Sequence, residues 1–291
     1  MIPLGAAPSE ETREEAKRLV AAGLRKAEVE LVALFAAPIF WVLRTDEGEF
    51  LKNGTTFFLD AGQGVFGVTA AHVVTECFHD CQSDAFVGCF VGGEGRVIEI
   101  KLNERIIDGN PDLDIATFRF SEDEVKQVGH SILTGYQKEW PPILPLRGRG
   151  VAYAGFPGKE RRVLAPRQIS FGVIAATGAA TSVHEDGLSI QLERDMFVLA
   201  FGDSTPPENF NFGGMSGGPV ITIVETNLIR SYMPAGVIFG GPNVSGKEGE
   251  AIAGFEVIRA RPIHYIMPDG TLDNARWEMN NIQRDNAKHS R

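Results

Sequence analysis

The sequence predicts an all-β fold of the sandwich or barrel kind, and three observations predict it. Apolar residues from Ile39 onward come in short runs rich in β-branched and aromatic side chains: "IFWVLR", "TTFFLD", "GVFGVTA", "VIEIKL" and "IATFRF". Gly, Pro, Asn and Asp separate the runs, which is turn chemistry. Glycine is also in excess, 33 of 291 residues or about 11% against a usual 7%, as a chain with many tight turns requires.

The elements follow in order. Residues 9 to 36 read as a helix, with Ser9 as N-cap, acidic residues in the first turn, and Ala16, Leu19, Val20, Leu24 and Ala27 at helical spacing; Pro38 ends it. The first strand series then occupies about 39–121. A polar interval at about 122–148, containing Pro141 and Pro142, reads as a connection. A second series fills about 149–266: "GVAYAGFPG", "RQISFGVIAATG", "LSIQL", "MFVLAF", "PVITIVE" and "AGVIFGG". The layout is therefore a helical extension at 1–38, one β domain at 39–268 in two halves, and a polar tail at 269–291 with one short helix around "LDNARWEMNNIQR".

Charge and composition narrow the partners. The net charge of −10 disfavours nucleic acid and anionic membranes, which repel an acidic surface. The one basic cluster, Lys159-Glu160-Arg161-Arg162, reads most simply as a solvated loop. No apolar run reaches the ~18 residues of a bilayer span and no signal-peptide pattern opens the chain, so a cytoplasmic location is expected. Cys77, Cys81 and Cys89 are an odd number in one segment, which suits reduced thiols better than a disulfide framework, and leaves the sequons at Asn53 and Asn243 as chance matches. With His79 these cysteines raise the question of zinc, but C-x-H-x-C followed by one more Cys is not the usual pairing of knuckles. No metal or other cofactor is assigned. His130, His184, His264 and His289 sit in no motif.

"GGMSGGPV", residues 213–220, has two readings. It is a flexible loop, or its glycines let consecutive N–H groups of Gly214 and Ser216 converge on one hollow beside the Ser216 hydroxyl. Acyl transfer by a serine also needs a base and a group that orients it. "GVTAAHVV" puts His72 just after an apolar strand, where a tight turn would present the imidazole. In "PDLDIATFRF", Asp114 opens a strand at the edge of a β unit, and Asp112 is the competing acid.

"TAAHVV", "DLDIATF" and "GGMSGGPV", in the order His, Asp, Ser with separations of 42 and 102 residues, resemble the trypsin-like (chymotrypsin-fold) serine peptidases, in particular the bacterial branch near the HtrA/Do proteases. The likeness spans about residues 40–265. It implies two six-stranded antiparallel β-barrels with a His72–Asp114–Ser216 triad and an oxyanion hole at Gly214 and Ser216. Asp114 is preferred over Asp112 because the family's acid directly precedes an apolar residue and alanine. "AYAGFPG" is similar to the strand and turn that open the family's second barrel.

The same resemblance implies a specificity pocket with Phe210 at its base and Phe239, Gly240 and Gly241 on its wall. The expected preference is for small or medium apolar side chains, with Glu208 a reason to keep a basic one open. Met215 stands where the digestive and clotting enzymes carry the Asp that pairs with a newly cleaved N-terminus, so the oxyanion loop must be ordered by packing or by a partner. Too few residues follow the last strand for the PDZ module usual in HtrA proteases. The expected function is a serine endopeptidase acting on proteins or peptides, with restricted or partner-regulated activity; the alternative is a latent pseudoprotease serving as a peptide-binding or scaffold module.

Overall fold

The structure is a computed structural model, and it describes residues 24–93, 95–135, 140–165, 168–192, 197–199, 210–226, 229–241 and 257–289. The N-terminal part of the expected helix, at 9–23, lies outside the described residues, as does Glu208. The rest of that helix is α1 (Leu24–Phe35), which runs directly into β1 (Ala36–Thr45), so Pro38 lies within the strand. α1 packs mainly on the second β unit, through Val29, Val32 and Phe35.

The first unit contains β1, β2 (Gly48–Asp60), β3 (Val65–Thr69), α2 (Ala71–Asp80), β4 (Phe86–Gly93), β5 (Arg96–Ile100), α3 (Leu102–Arg105), β6 (Ile106–Asn110) and β7 (Ile115–Arg119). Its strands pair in the order β5-β4-β1-β2-β3-β7-β6. The second unit contains β9 (Gly150–Gly155), β12 (Ile174–His184), β13 (Gly187–Gln191), β14 (Phe197–Leu199), β15 (Pro219–Thr226), β16 (Ile229–Gly240) and β17 (Val257–Pro262). A short hairpin of β10 (Arg161–Ala165) and β11 (Gln168–Phe171) stands apart from both sheets.

The expectation of two six-stranded barrels is met by half. In the second unit, β13-β17-β16-β15-β9-β12 closes on itself through the β12–β13 hairpin, and β14 adds to one end of β12. The first unit does not close by strand pairing among the described residues. Its terminal strands β5 and β6 are joined by the helical turn α3, not by a hairpin, so the ladder that would seal it is not formed. It also gains an eighth strand. β8 (Ile132–Thr134) pairs in parallel with Phe58–Asp60, the part of β2 that extends beyond its pairing with β1.

That eighth strand corrects the reading of 122–148 as a plain connection. Ser121 and Glu124 form a reciprocal capping box that starts α4 (Glu122–Val128), and Gly129 at φ +77° ends it. The helix expected around "LDNARWEMNNIQR" is α5 (Asn274–His289), which buries Trp277, and Leu272 just before it is buried as well.

The alternation of side chains along a strand explains why the two units face each other. Ile39, Trp41 and Phe58 point into the first unit, while their neighbours Phe40, Phe57 and Leu59 point out of it. Val151 and Tyr153 likewise fill the second unit, while Ala152 and Ala154 face outward. Both outward sets meet in one apolar layer with Val237, Tyr265 and Trp277. Burying that layer is what holds the units together, at roughly 25 cal/mol per Å² of apolar surface.

Close packing reaches the first unit's interior as well. A Cβ at Gly67 of β3 would run into the ring of Phe118 on β7, which is itself fully buried. Gly67→Ala is expected to lower the unfolding free energy by about 1–3 kcal/mol, as overpacking does; urea denaturation measures it.

Candidate active site

His72 is in the first turn of α2, not in a tight turn. No residue near α2 caps it by side chain, and Ala70 at its N-cap has none to offer. The cap comes from Asp114, 42 residues on: its Oδ1 accepts the His72 amide N–H at 2.9 Å. A carboxylate at a helix N-terminus satisfies an orphan donor and meets the positive end of the helix dipole. The same carboxylate lies 3.0 and 2.9 Å from His72 Nδ1 through its two oxygens. His72 is thus gripped at backbone and ring by one residue. That arrangement favours the tautomer with the proton on Nδ1 and leaves Nε2 as the basic nitrogen. The hydrogen bond to Asp114 raises the imidazole above its ordinary pKa of 6.5, outweighing the opposite effect of burial, and Glu76 adds to the rise.

The other end of α2 is anchored at Asp80, which accepts the Trp41 Nε1–H at 2.7 Å and lies 2.9 Å from Lys52 Nζ. Burial alone would push the Asp80 carboxyl up, but these partners hold it below the usual range. Cys77 on the same helix and Cys89 on β4 are both buried, and the neighbouring Cys77 thiol with burial keeps the Cys89 thiol far above its ordinary pKa; Cys81 is exposed.

Asp114 closes the β6–β7 turn at φ +58°, a left-handed conformation that Asp tolerates better than most residues. Asn110 builds this turn. Its Oδ1 accepts the N–H groups of Asp112 and Leu113, each at 2.9 Å, and its carbonyl accepts the Asp114 N–H at 2.8 Å. Asp112 sits exposed on the turn.

Ser216 comes from the second unit, on a loop that packs against the first. Its carbonyl oxygen accepts the Thr55 N–H of β2 at 2.9 Å. Gly217, at φ +90°, lies so close to Thr55, Thr69 and Ala70 that a Cβ there would collide with them. Ala70 is two residues before His72, so the serine loop abuts the start of α2.

The preceding loop is held by packing and by hydrogen bonds to its carbonyls. Met215 is 1% exposed and packs in the second unit's core. The Gly213 carbonyl accepts the Gly158 N–H at 2.8 Å, and the Gly214 carbonyl accepts the Thr55 hydroxyl at 2.7 Å. Because a trans peptide sets C=O and N–H on opposite sides, anchoring the Gly213 oxygen toward Gly158 turns the Gly214 N–H the other way. Gly214 is at φ +103° and a Cβ there would stand 2.8 Å from Asn53 Nδ2 and 2.9 Å from Gly158 N, so glycine is needed for both conformation and space. Asn53 braces the far side, donating to the Phe156 carbonyl at 2.7 Å and accepting from Arg161 Nη1 at 3.1 Å.

The residues expected to form the specificity pocket are placed less uniformly. Phe210 is 7% exposed and packs edge-on against Phe212, with ring centroids 5.0 Å apart, within the second unit's core. Phe239 faces Arg261, whose guanidinium lies 4.3 Å from its ring centre. Gly240 and Gly241 are half-buried at the end of β16. Among the described residues, no cluster of His, Cys, Asp and Glu could hold a metal ion, and no helix is long and apolar enough to cross a membrane.

In the sequence Asn53 stood out only as part of a sequon and Arg161 only as part of a basic cluster, and Thr55 was not singled out. The one available signal is "NGTT", two threonines in a strand position that is fully buried, where a hydroxyl needs a partner. Thr55→Val is expected to lower the unfolding free energy by about 1–3 kcal/mol, since it strips a partner from both the Gly214 carbonyl and the Phe156 N–H, which donates to this hydroxyl at 2.9 Å. Comparing urea midpoints of Thr55→Val and Thr55→Ser, which keeps the hydroxyl, checks this.

No protein-family model matches the chain, and no curated protein does. Among solved structures it is similar to a thermostable serine protease, AL20, from an extremophilic microorganism, at 15% identity over 79% of this chain and 91% of that one, with TM-score 0.41. The active form of the Rv3671c protease from M. tuberculosis is similar at 14% identity, over 83% and 82% of the two chains, with TM-score 0.42. The serine protease domain of the Sesbania mosaic virus polyprotein is similar at 12% identity, over 80% and 90%, with TM-score 0.37. These neighbours are serine proteases of the chymotrypsin fold, at low sequence identity to this chain.

Proposed function

We propose that the chain is a serine endopeptidase of the trypsin-like kind, close to the HtrA/Do branch, cleaving protein or peptide substrates. The observation that carries this is the double grip of Asp114 on His72, at the amide N–H and at Nδ1, beside the loop that bears Ser216. His72 Nε2 takes the Ser216 hydroxyl proton as Oγ attacks the scissile carbonyl. The N–H groups of Gly214 and Ser216 receive the oxyanion. His72 returns the proton to the leaving amine, and water repeats the sequence on the acyl-enzyme.

The tethering of Gly213 and Gly214 to Gly158 and Thr55 favours an oxyanion loop assembled at rest over one that waits for a partner. Restriction of activity then comes from substrate choice. An apolar Phe210 and the absence of side chains at Gly240 and Gly241 support a preference for small or medium apolar side chains.

Covalent labelling by a fluorophosphonate probe, read by intact mass, tests the reading. Wild type is expected to gain one adduct, and Ser216→Ala and His72→Ala none. A folded wild type that does not label would support the scaffold alternative instead.

The pH dependence follows from the raised imidazole. A base must be neutral to act, so labelling is expected to rise with pH about a midpoint above 6.5, the ordinary histidine value. Asp114→Asn removes the group that holds the imidazolium. Its midpoint should fall to 6.5 or below, with a rate loss approaching about 10⁴-fold; a pH series of labelling rates measures both.

A further inference from the structure

We infer that Arg261 is a positioning residue for Asp114, through a clamp that joins the β6–β7 turn to the C-terminal segment. Its guanidinium donates from Nε to the Leu113 carbonyl at 2.8 Å, from Nη2 to the Asp112 carbonyl at 3.4 Å, and from Nη1 to the Asp186 carbonyl at 2.7 Å. Two aromatic rings hold it in place: Phe239 at 4.3 Å and Trp277 of α5 at 4.9 Å from its central carbon. A planar, five-donor fork suits three carbonyls and two ring faces; an ammonium does not.

The peptide plane between Leu113 and Asp114 is where this matters. Arg261 fixes the plane at its oxygen and the Asn110 carbonyl fixes it at its N–H. With the plane pinned at both ends, the left-handed φ of Asp114 has no easy way to relax. The carboxylate is therefore kept aimed at His72. The C-terminal segment reinforces the same turn. Asn274, at the start of α5, accepts from Asn110 Nδ2 at 2.7 Å, and the Leu272 N–H donates to Asp108 Oδ2 at 2.9 Å. A region that reads as a polar tail is thus part of the support for the acid.

The inference rests on the proposed His72–Asp114 pairing, so its test reads that pair without any turnover. In ¹⁵N-labelled protein, the imidazole signals of His72 are followed through a pH titration in wild type, Arg261→Met and Arg261→Lys. Asp114 and Glu76 are the charges that act on His72, while Asp114, Asp186, Tyr265 and Arg284 surround Arg261. The sign separates positioning from charge. Losing a positive charge near His72 would by itself raise the imidazole pKa, whereas releasing Asp114 lowers it toward 6.5.

Arg261→Met, which keeps an unbranched apolar stem, is expected to lower the His72 pKa and weaken its Nδ1–H signal, with Arg261→Lys intermediate. Labelling should slow in the same order, short of the roughly 10⁴-fold loss at Asp114→Asn. A folded Arg261→Met with an unchanged or raised His72 pKa overturns the inference. If that variant does not fold, Arg261→Lys decides on the same readout, and an unchanged pKa overturns it. A wild type that shows the His72 Nδ1–H signal yet never labels would count against the peptidase reading alone.

Discussion

Three of the hydrogen bonds that Thr55 makes from β2 cross to the other β unit: its N–H to Ser216, its hydroxyl to Gly214, and its hydroxyl from the Phe156 N–H. Each is worth a net ~0.5–1.5 kcal/mol in a folded protein, but their effect on geometry is larger than that on stability. They tie the serine loop to the strand whose neighbour β3 leads into the His72 helix. His72 and Ser216 therefore sit on separate units, and buried Thr55 links the serine loop to the first. The apolar layer between the units supplies the force, and Thr55 supplies the register.

The loop's order is consequently internal. Met215 contributes burial, and the Gly213 and Gly214 carbonyls are bound by the Gly158 N–H and the Thr55 hydroxyl. A buried methionine has no charge to satisfy and needs no cleaved terminus. The acid side shows the same economy. One carboxylate caps α2 and orients the imidazole, while the turn that presents it is pinned from within by Asn110 and from outside by Arg261.

Much of this was legible in the chain. Strand chemistry after Ile39 and glycine-rich turns predicted an all-β fold, and the strands fall where the apolar runs do. The triad candidates stood out because a serine among glycines, a histidine after a strand and an aspartate before one are local patterns. The S-x-x-E box at Ser121 was equally local but passed unread, which is why α4 was taken for connection. His72 was expected in a turn because the cap that makes its helix is 42 residues away.

The sequence by itself determined the periodicity of the strands and singled out His72, Asp114 and Ser216 as candidates, because these readings depend on neighbours along the chain. Only the tertiary structure decided that among the described residues one sheet closes and the other does not, that Thr55 holds the Gly214–Ser216 loop, and that Arg261 and α5 back the Asp114 turn. Those outcomes depend on contacts between residues some 100 to 160 positions apart, such as Thr55 with Phe156 and Gly214 or Arg261 with Leu113. No local pattern records such pairs, since their hydrogen-bond partners are carbonyl and amide groups that every residue carries.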